Sequence, residues 1–239
     1  MQAVMLAGGK GTRLSPYTAV LPKPLMPVGD HPIIEIMLRQ LRSAGVEEVI
    51  LCVGHLPHLF EALLQDGRRY GIRITYSVES EPLGTAGPIA LVLDRLRDDF
   101  LVMNGDILTT LSYRKLFEAH LRTGAAATIA VARREVKIDF GVISSGEGGR
   151  LDRYNEKPVI HYDVSMGINV LQKRAVAPHL EKGRRLDLPE LMTRLHDEGK
   201  PVICHRDPCY WLDIGRVDDY QTATAAFAER RSEFLPDGA

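Results

Sequence analysis

The 239-residue chain carries thirty Lys and Arg against thirty-one Asp and Glu, a formal net charge of -1. That balance disfavours a nucleic acid or an acidic membrane surface as partner, because binding a polyanion draws on a net positive field. Twenty-one glycines and fourteen prolines are too few for a low-complexity chain, and the length suits one large α/β domain.

Short runs rich in Val, Ile and Leu predict buried strands at 3–6, 48–53, 72–78 and 100–104. Segments of helical period lie between them. Asp30 is placed to cap a helix with Pro32 in its first turn, an apolar face of Ile33, Ile34, Met37, Leu38 and Leu41, and Gly45 at its end. Thr85 is placed to cap another that carries Ile89, Leu93 and Leu96, and residues 111–121 and 188–196 read as further surface helices. From about 126 to 170, β-prone runs separated by Gly141, Gly146, Gly148 and Gly149 predict a small antiparallel insertion or sheet extension, with its clearest hairpin at 144–150. A polar-faced terminal helix at 217–231 closes a single α/β domain over 1–231, and 232–239 reads as a frayed tail. Strands alternating with helices in this way predict a mainly parallel central sheet covered on its faces.

No apolar run reaches the ~18 residues of a membrane span. The N-terminus passes from Leu6 straight into glycines without a signal-peptide profile, so a soluble, cytoplasmic protein is expected. Cys52, Cys204 and Cys209 form no C-x-x-C pair, and together with His205 they fit no usual zinc spacing.

The first strand runs into Ala7, Gly8, Gly9, Lys10, Gly11, Thr12 and Arg13, and glycines at that point let backbone N–H groups approach a phosphate. A P-loop needs Gly-Lys followed by Ser or Thr, but Lys10 precedes Gly11; a dinucleotide fingerprint needs a third glycine where Leu14 stands. What is left is a backbone cradle near Lys10, Arg13 and Lys23, three cations that suit a triphosphate, and the glycines alone are equally compatible with a solvated turn. Asp106 follows Asn104 and Gly105 at the carboxyl end of the fourth strand, where open α/β sheets place ligands. With Asp213 it makes a sparse carboxylate pair, adequate for a magnesium ion that arrives on a nucleotide and poor as a standing metal site. Each aspartate also sits beside a turn residue or glycine, as a merely turn-forming aspartate would.

Residues 6–14, followed by Leu21, Pro22, Lys23, Pro24 and Leu25, resemble the signature of the sugar-1-phosphate nucleotidyltransferases, and 82–87, 104–106, 156–158 and 211–215 match further motifs of that family in order. The resemblance implies a Rossmann-like three-layer sandwich with a mixed, mainly parallel sheet. It also implies transfer of a nucleotidyl group from a nucleoside triphosphate to a sugar 1-phosphate, with release of pyrophosphate and a divalent metal. On that basis Leu6, Ala7, Gly8, Gly9, Gly11 and Thr12 cradle the nucleotide. Arg13 and Lys23 hold its triphosphate and act in catalysis with Asp106, and Asp106 and Asp213 hold Mg2+. Glu79, Pro82, Gly84, Thr85 and Gly105 complete the nucleotide side. The sugar-phosphate side falls to Asn104, Gly141, Glu156, Lys157, Gly167 and Asn169, with the Lys157 ammonium against the phosphate, Glu156 accepting from sugar hydroxyls and Gly141 letting backbone approach the sugar. Taken without the resemblance, Lys157 is an exposed lysine at a strand end. Trp211 is expected to be packing that positions Asp213, and Asp187 is equally well a helix cap.

The base is argued from Glu79, where relatives using thymidine or uridine nucleotides commonly place glutamine. A carboxylate only accepts. Guanine presents N1–H and its exocyclic amino group side by side, whereas thymine and uracil present one donor between two acceptors, so GTP is the expected donor. The alternatives are thymidylyl, uridylyl or cytidylyl transfer, or a nucleotide-sugar-sensing module without turnover. Ser165 and Asn169 depart from the asparagine and aromatic usual at those positions, which leaves the sugar open among glucose, mannose and heptose phosphates. A homo-oligomer is also left open.

Overall fold

A computed structural model describes residues 1–235. Its strands are β1 (Gln2–Ala7), β2 (Pro27–Val28), β3 (His31–Pro32), β4 (Glu48–Val53), β5 (Arg73–Val78), β6 (Asp99–Asn104), β7 (Ile107–Thr109), β8 (Ala127–Lys137), β9 (Val142–Ser145), β10 (Leu151–Asn155), β11 (Val159–Gln172), β12 (Val202–His205) and β13 (Trp211–Asp213). The α-helices are α1 (Ile33–Ala44), α2 (Pro57–Leu64), α3 (Gly87–Val92), α4 (Tyr113–Thr123), α5 (Lys173–Val176), α6 (Leu188–Asp197), α7 (Val217–Glu229) and α8 (Arg231–Phe234).

Seven strands form one sheet in the order β12-β8-β11-β6-β1-β4-β5. The half from β6 to β5 is parallel, with β1 between β4 and β6, and β11 pairs antiparallel with both β6 and β8. Successive residues of a strand face opposite sides. Met5, Leu101 and Met103 therefore pack with residues of α1, α2, α4 and α7 on one face, while Val4, Phe100 and Val102 pack with those of α3 and α6 on the other. This is the mixed, mainly parallel three-layer α/β sandwich expected. The glycine-punctuated region supplies both anticipated features, since β8 and β11 extend the main sheet and β9 and β10 make a separate antiparallel hairpin.

Three caps differ from expectation. Asp30 does not cap α1, whose N-cap is Pro32; its two carboxylate oxygens accept from Arg231 at 2.6 and 3.0 Å. Thr85 does not cap α3, which starts after Ala86, and Asp187 makes no side-chain bond to its own helix α6. In each case a partner more than a hundred residues away along the chain takes the side chain.

The segment read as frayed is folded through Leu235. Phe234 is fully buried, stacks on Phe227, and its carbonyl accepts from Gln40 at 3.0 Å; residues 236–239 lie outside the described residues. Phe234→Ala should accordingly cost about 3–5 kcal/mol. Urea unfolding reads this directly, and an unchanged midpoint would contradict the packing.

Candidate active site

Two cavities open along the carboxyl ends of the parallel strands, where the sheet leaves its loops free. The smaller, about 320 Å³, is walled by Leu6, Gly8, Gly9, Glu79, Pro82, Leu83, Gly84, Thr85, Pro88, Asn104 and Asp106. The larger, about 490 Å³, is walled by Thr85, Asn104, Ile107, Ile129, Ser165, Met166, Gly167, Asn169, Leu188, Pro189, Met192, Trp211 and Asp213. Thr85 and Asn104 belong to both. The smaller cavity thus gathers Leu6, Gly8, Gly9, Glu79, Pro82, Gly84 and Thr85 of the expected nucleotide side, the larger gathers Asn104, Gly167 and Asn169 of the expected sugar side, and one carboxylate of the expected pair stands in each wall.

The glycine loop behaves as a close-approach element. A Cβ on Gly8 would lie 2.4 Å from Glu79 Oε1, so only glycine admits that carboxylate over the loop. Gly11 holds a left-handed φ of 61°, and its carbonyl accepts from Thr18 Oγ1 at 2.8 Å, which turns the chain into the short helical turn containing Thr12 and Arg13. Gly105 N donates to Leu6 O at 2.9 Å, which ties the end of β6 to that of β1 behind the cavity. Ala7 is buried in the strand below. Neither Ala7, Gly11, Thr12, Arg13 nor Gly105 lines a cavity wall, so their part is to shape and charge the site from behind or beside it.

At the meeting point sits a charged cluster. Lys23 is 7 % exposed, and its Nζ donates to Asp106 Oδ2 at 2.5 Å and stands 3.7 Å from Asp213 Oδ1. Asp106 Oδ1 is buried and has no hydrogen-bond partner among the described residues. Burial, reinforced by the charge of Asp106, pushes the Asp213 carboxyl above the usual range, and Lys23 and Arg13 pull the other way. A Cβ on Gly215 would come within 3.5 Å of Arg13 Nη1, which places that guanidinium beside the turn following Asp213. An orphaned carboxylate oxygen next to a second carboxylate fits a hard divalent cation. No cluster of three or more His, Cys, Asp or Glu suited to a metal occurs among the described residues, so the remaining ligands must come from substrate phosphates or water.

Glu79 is half-buried, and burial pushes its carboxyl upward even though Oε2 accepts from Leu83 N at 3.1 Å. Gly167 has φ 72°, and a Cβ there would stand 2.7 Å from Asn104 Nδ2, so glycine lets β11 close against the end of β6. Asn169 is 3 % exposed in the same wall, whereas Ile168 between them turns wholly into the core.

Two expectations need correcting. Trp211 is a wall of the larger cavity as well as packing: its indole N–H donates to Met166 O at 3.0 Å and it begins the strand that ends at Asp213. Gly141 is required by neighbouring side chains rather than by an open approach, since a Cβ would lie 2.4 Å from Tyr154 Oη and 3.0 Å from Glu156 Oε2. Glu156 and Lys157 follow β10 on the hairpin side, exposed, and line neither cavity. Lys157 nevertheless holds φ 43°, a left-handed conformation that costs a non-glycine residue on the order of 1–3 kcal/mol and concentrates at ligand sites. Sequence reasoning passed over Ile107, Ile129 and Met192, whose apolar side chains carry no chemical signal of their own.

Two acidic side chains, a buried lysine and a glycine loop at the carboxyl edge of an α/β sheet suit an enzyme that handles phosphate groups with a divalent metal. The chain belongs to the nucleotidyl transferase family, whose model matches residues 2–230, and it is a sugar-1-phosphate nucleotidyltransferase. It is 34% identical over 252 residues to a mannose-1-phosphate guanyltransferase of Yarrowia lipolytica, an alignment covering 99% of this chain and 67% of the relative. A UTP--glucose-1-phosphate uridylyltransferase of Synechocystis is 32% identical over 248 residues, covering 96% and 64%. Among solved structures, HddC from Yersinia pseudotuberculosis shares the fold with a TM-score of 0.74 at 24% identity, covering 95% of this chain and 99% of that one. No helix among the described residues is long and apolar enough to cross a membrane.

Proposed function

We propose that the smaller cavity takes GTP, that the larger takes a sugar 1-phosphate, and that the two meet at Asp106 and Asp213, the carboxylates that would hold Mg2+. The observation that carries this reading is the orphaned Asp106 Oδ1 at the junction of two cavities that share Thr85 and Asn104. When bound, the ion neutralises charge on the phosphate under attack. The sugar-phosphate oxygen is already anionic, so it attacks the α-phosphorus directly. The bond from that phosphorus to the oxygen bridging the β-phosphate breaks, and pyrophosphate leaves without a covalent enzyme intermediate. Lys23 and Arg13 supply positive charge to the triphosphate, Lys23 from a buried position that holds its ammonium in place before substrate arrives.

Guanine is favoured by Glu79. Its carboxylate stands in the wall of the smaller cavity over Gly8, and each carboxylate oxygen has two acceptor positions, so the bond from Leu83 leaves capacity for both donors of the guanine edge. Mannose-1-phosphate guanyltransferases and a uridylyltransferase both occur among the relatives, so their names do not decide the base. The test is competition between GTP and UTP or dTTP in wild type and in Glu79→Gln. A guanine preference that shrinks on substitution is expected, and one untouched by it would defeat the assignment.

Lys157, exposed beside the β9–β10 hairpin with a left-handed φ of 43°, is assigned the sugar phosphate on its compact charge, which suits a phosphate. Lys157→Ala should then weaken sugar-phosphate use by roughly 10- to 150-fold, the equivalent of a lost charge-assisted bond of about 1.5–3 kcal/mol. Nucleotide affinity should stay put; a titration with the opposite selectivity would move Lys157 to the triphosphate.

A further inference from the structure

The segment that walls the smaller cavity is stitched to the segment that walls the larger. Leu186 N donates to Leu83 O at 3.0 Å, and Ala86 N and Gly87 N both donate to Leu186 O at 2.8 and 3.0 Å. At the centre of this seam Thr85 N and Oγ1 donate to Asp187 Oδ1 at 3.0 and 3.3 Å, while Leu188 N donates back to Thr85 Oγ1 at 2.7 Å. The threonine hydroxyl is therefore used in both directions, once as donor and once as acceptor. Gly84 completes the fit, because at φ 78° a Cβ there would lie 2.6 Å from Asp187 Oδ1.

The seam has a direction. On one side it continues into Pro82, Leu83 and Gly84 of the smaller cavity, and on the other into Leu188, Pro189 and Met192 of the larger. Thr85 faces both. The two segments lie about a hundred residues apart in sequence and meet here through side chains as well as backbone. The aspartate's second oxygen stands 3.5 Å from Arg185, so Oδ1 alone serves the threonine.

We propose that Thr85 and Asp187 are positioning residues that set the separation of the bound nucleotide and the bound sugar phosphate, an inference that rests on the assignment of the two cavities given above. An in-line displacement needs its reacting atoms about 3–3.5 Å apart, and a misplacement of about 1 Å can cost on the order of 10²-fold in rate. Removing the clamp keeps the other wall residues of both cavities and loosens their registry, so the loss falls mainly in kcat. What the seam requires of residue 187 is an acceptor at Oδ1, which asparagine retains; what it requires of residue 85 is a hydroxyl, which serine retains and valine lacks at nearly equal shape.

The experiment is steady-state kinetics with both substrates varied, alongside thermal melting, for wild type, Thr85→Val, Thr85→Ser, Asp187→Ala, Asp187→Asn and the Thr85→Val/Asp187→Ala double variant. Thr85→Val and Asp187→Ala should each lower kcat about 10- to 100-fold, with both KM values within about threefold and the double variant no worse than the poorer single. The serine and asparagine variants should keep kcat within about threefold of wild type. Wild-type kcat in Thr85→Val, a loss confined to the KM of one substrate, or a loss that merely follows the fraction unfolded would overturn the clamp. Should Asp187→Ala fail to fold, Thr85→Val carries the test alone. Failure of the cavity assignment looks different: Glu79→Gln, which alters the wall of the smaller cavity alone, would then shift the KM of the sugar phosphate and not that of the nucleotide.

Discussion

Asp106→Asn should leave a folded protein with kcat reduced by about 10²–10³-fold at saturating magnesium, the scale seen when a preorganised group that stabilises charge in the transition state is removed. The side chain keeps its shape and keeps an oxygen able to accept from Lys23, so the fold is not the casualty. The negative charge is lost from the buried oxygen that no protein group satisfies. Asp213→Asn should act in the same direction, because its carboxylate shares Lys23 and feels the charge of Asp106. The comparison is of initial rates of pyrophosphate release across a magnesium titration, with circular dichroism as the control for folding. Wild-type rates in either variant would remove that carboxylate from the metal.

Lys23→Met should lower kcat/KM for the nucleotide by a similar 10²–10³-fold, since the buried ammonium proposed to serve the triphosphate is lost. A second effect runs the opposite way. Lys23 and Arg13 together balance Asp106 and Asp213, so a bare divalent ion meets a cluster already neutralised and repelled by the ammonium 2.5 Å from Asp106. On the proposed reading, triphosphate oxygens would compete for the lysine and free the carboxylates, and the metal would then enter with its nucleotide. With methionine in place of Lys23, Mn2+ alone should bind more tightly than to wild type, measured by calorimetry without nucleotide. Equal affinity in the two proteins would show that the lysine does not guard the carboxylates.

The centre of the parallel half was legible because β1, β4 and β6 are apolar runs buried on both faces; the expected 48–53 coincides with β4 residue for residue. Gly45 was legible as the end of α1 because its φ of 94° requires the residue that stands there. Caps were less so. Asp30, Thr85 and Asp187 all have the side chains that favour helix starts, but an oxygen that can cap a helix can equally accept from Arg231 or bridge Asp187 and Thr85, and only the folded chain decides which donor is nearer. The grouping of Gly8, Lys23, Asp106 and Asp213 at one end of the sheet was legible because glycine after a strand and charge at strand ends are unusual residue types there. The site was not legible in the apolar wall of the larger cavity, where Ile107, Ile129 and Met192 look like any core residue, nor in Trp211, whose polar handle reaches Met166 while its ring faces the cavity. On the proposed assignment the side chains of that wall would select the sugar, and their ordinary apolar character is why the sequence left the sugar open.

The most direct measurement of the whole account is pyrophosphate release with magnesium across a matrix of five nucleoside triphosphates, ATP, CTP, GTP, UTP and dTTP, against the 1-phosphates of mannose, glucose and a heptose. Release that requires both substrates and is fastest with GTP is the predicted result; release from no pair, or equal rates with every base, would contradict it.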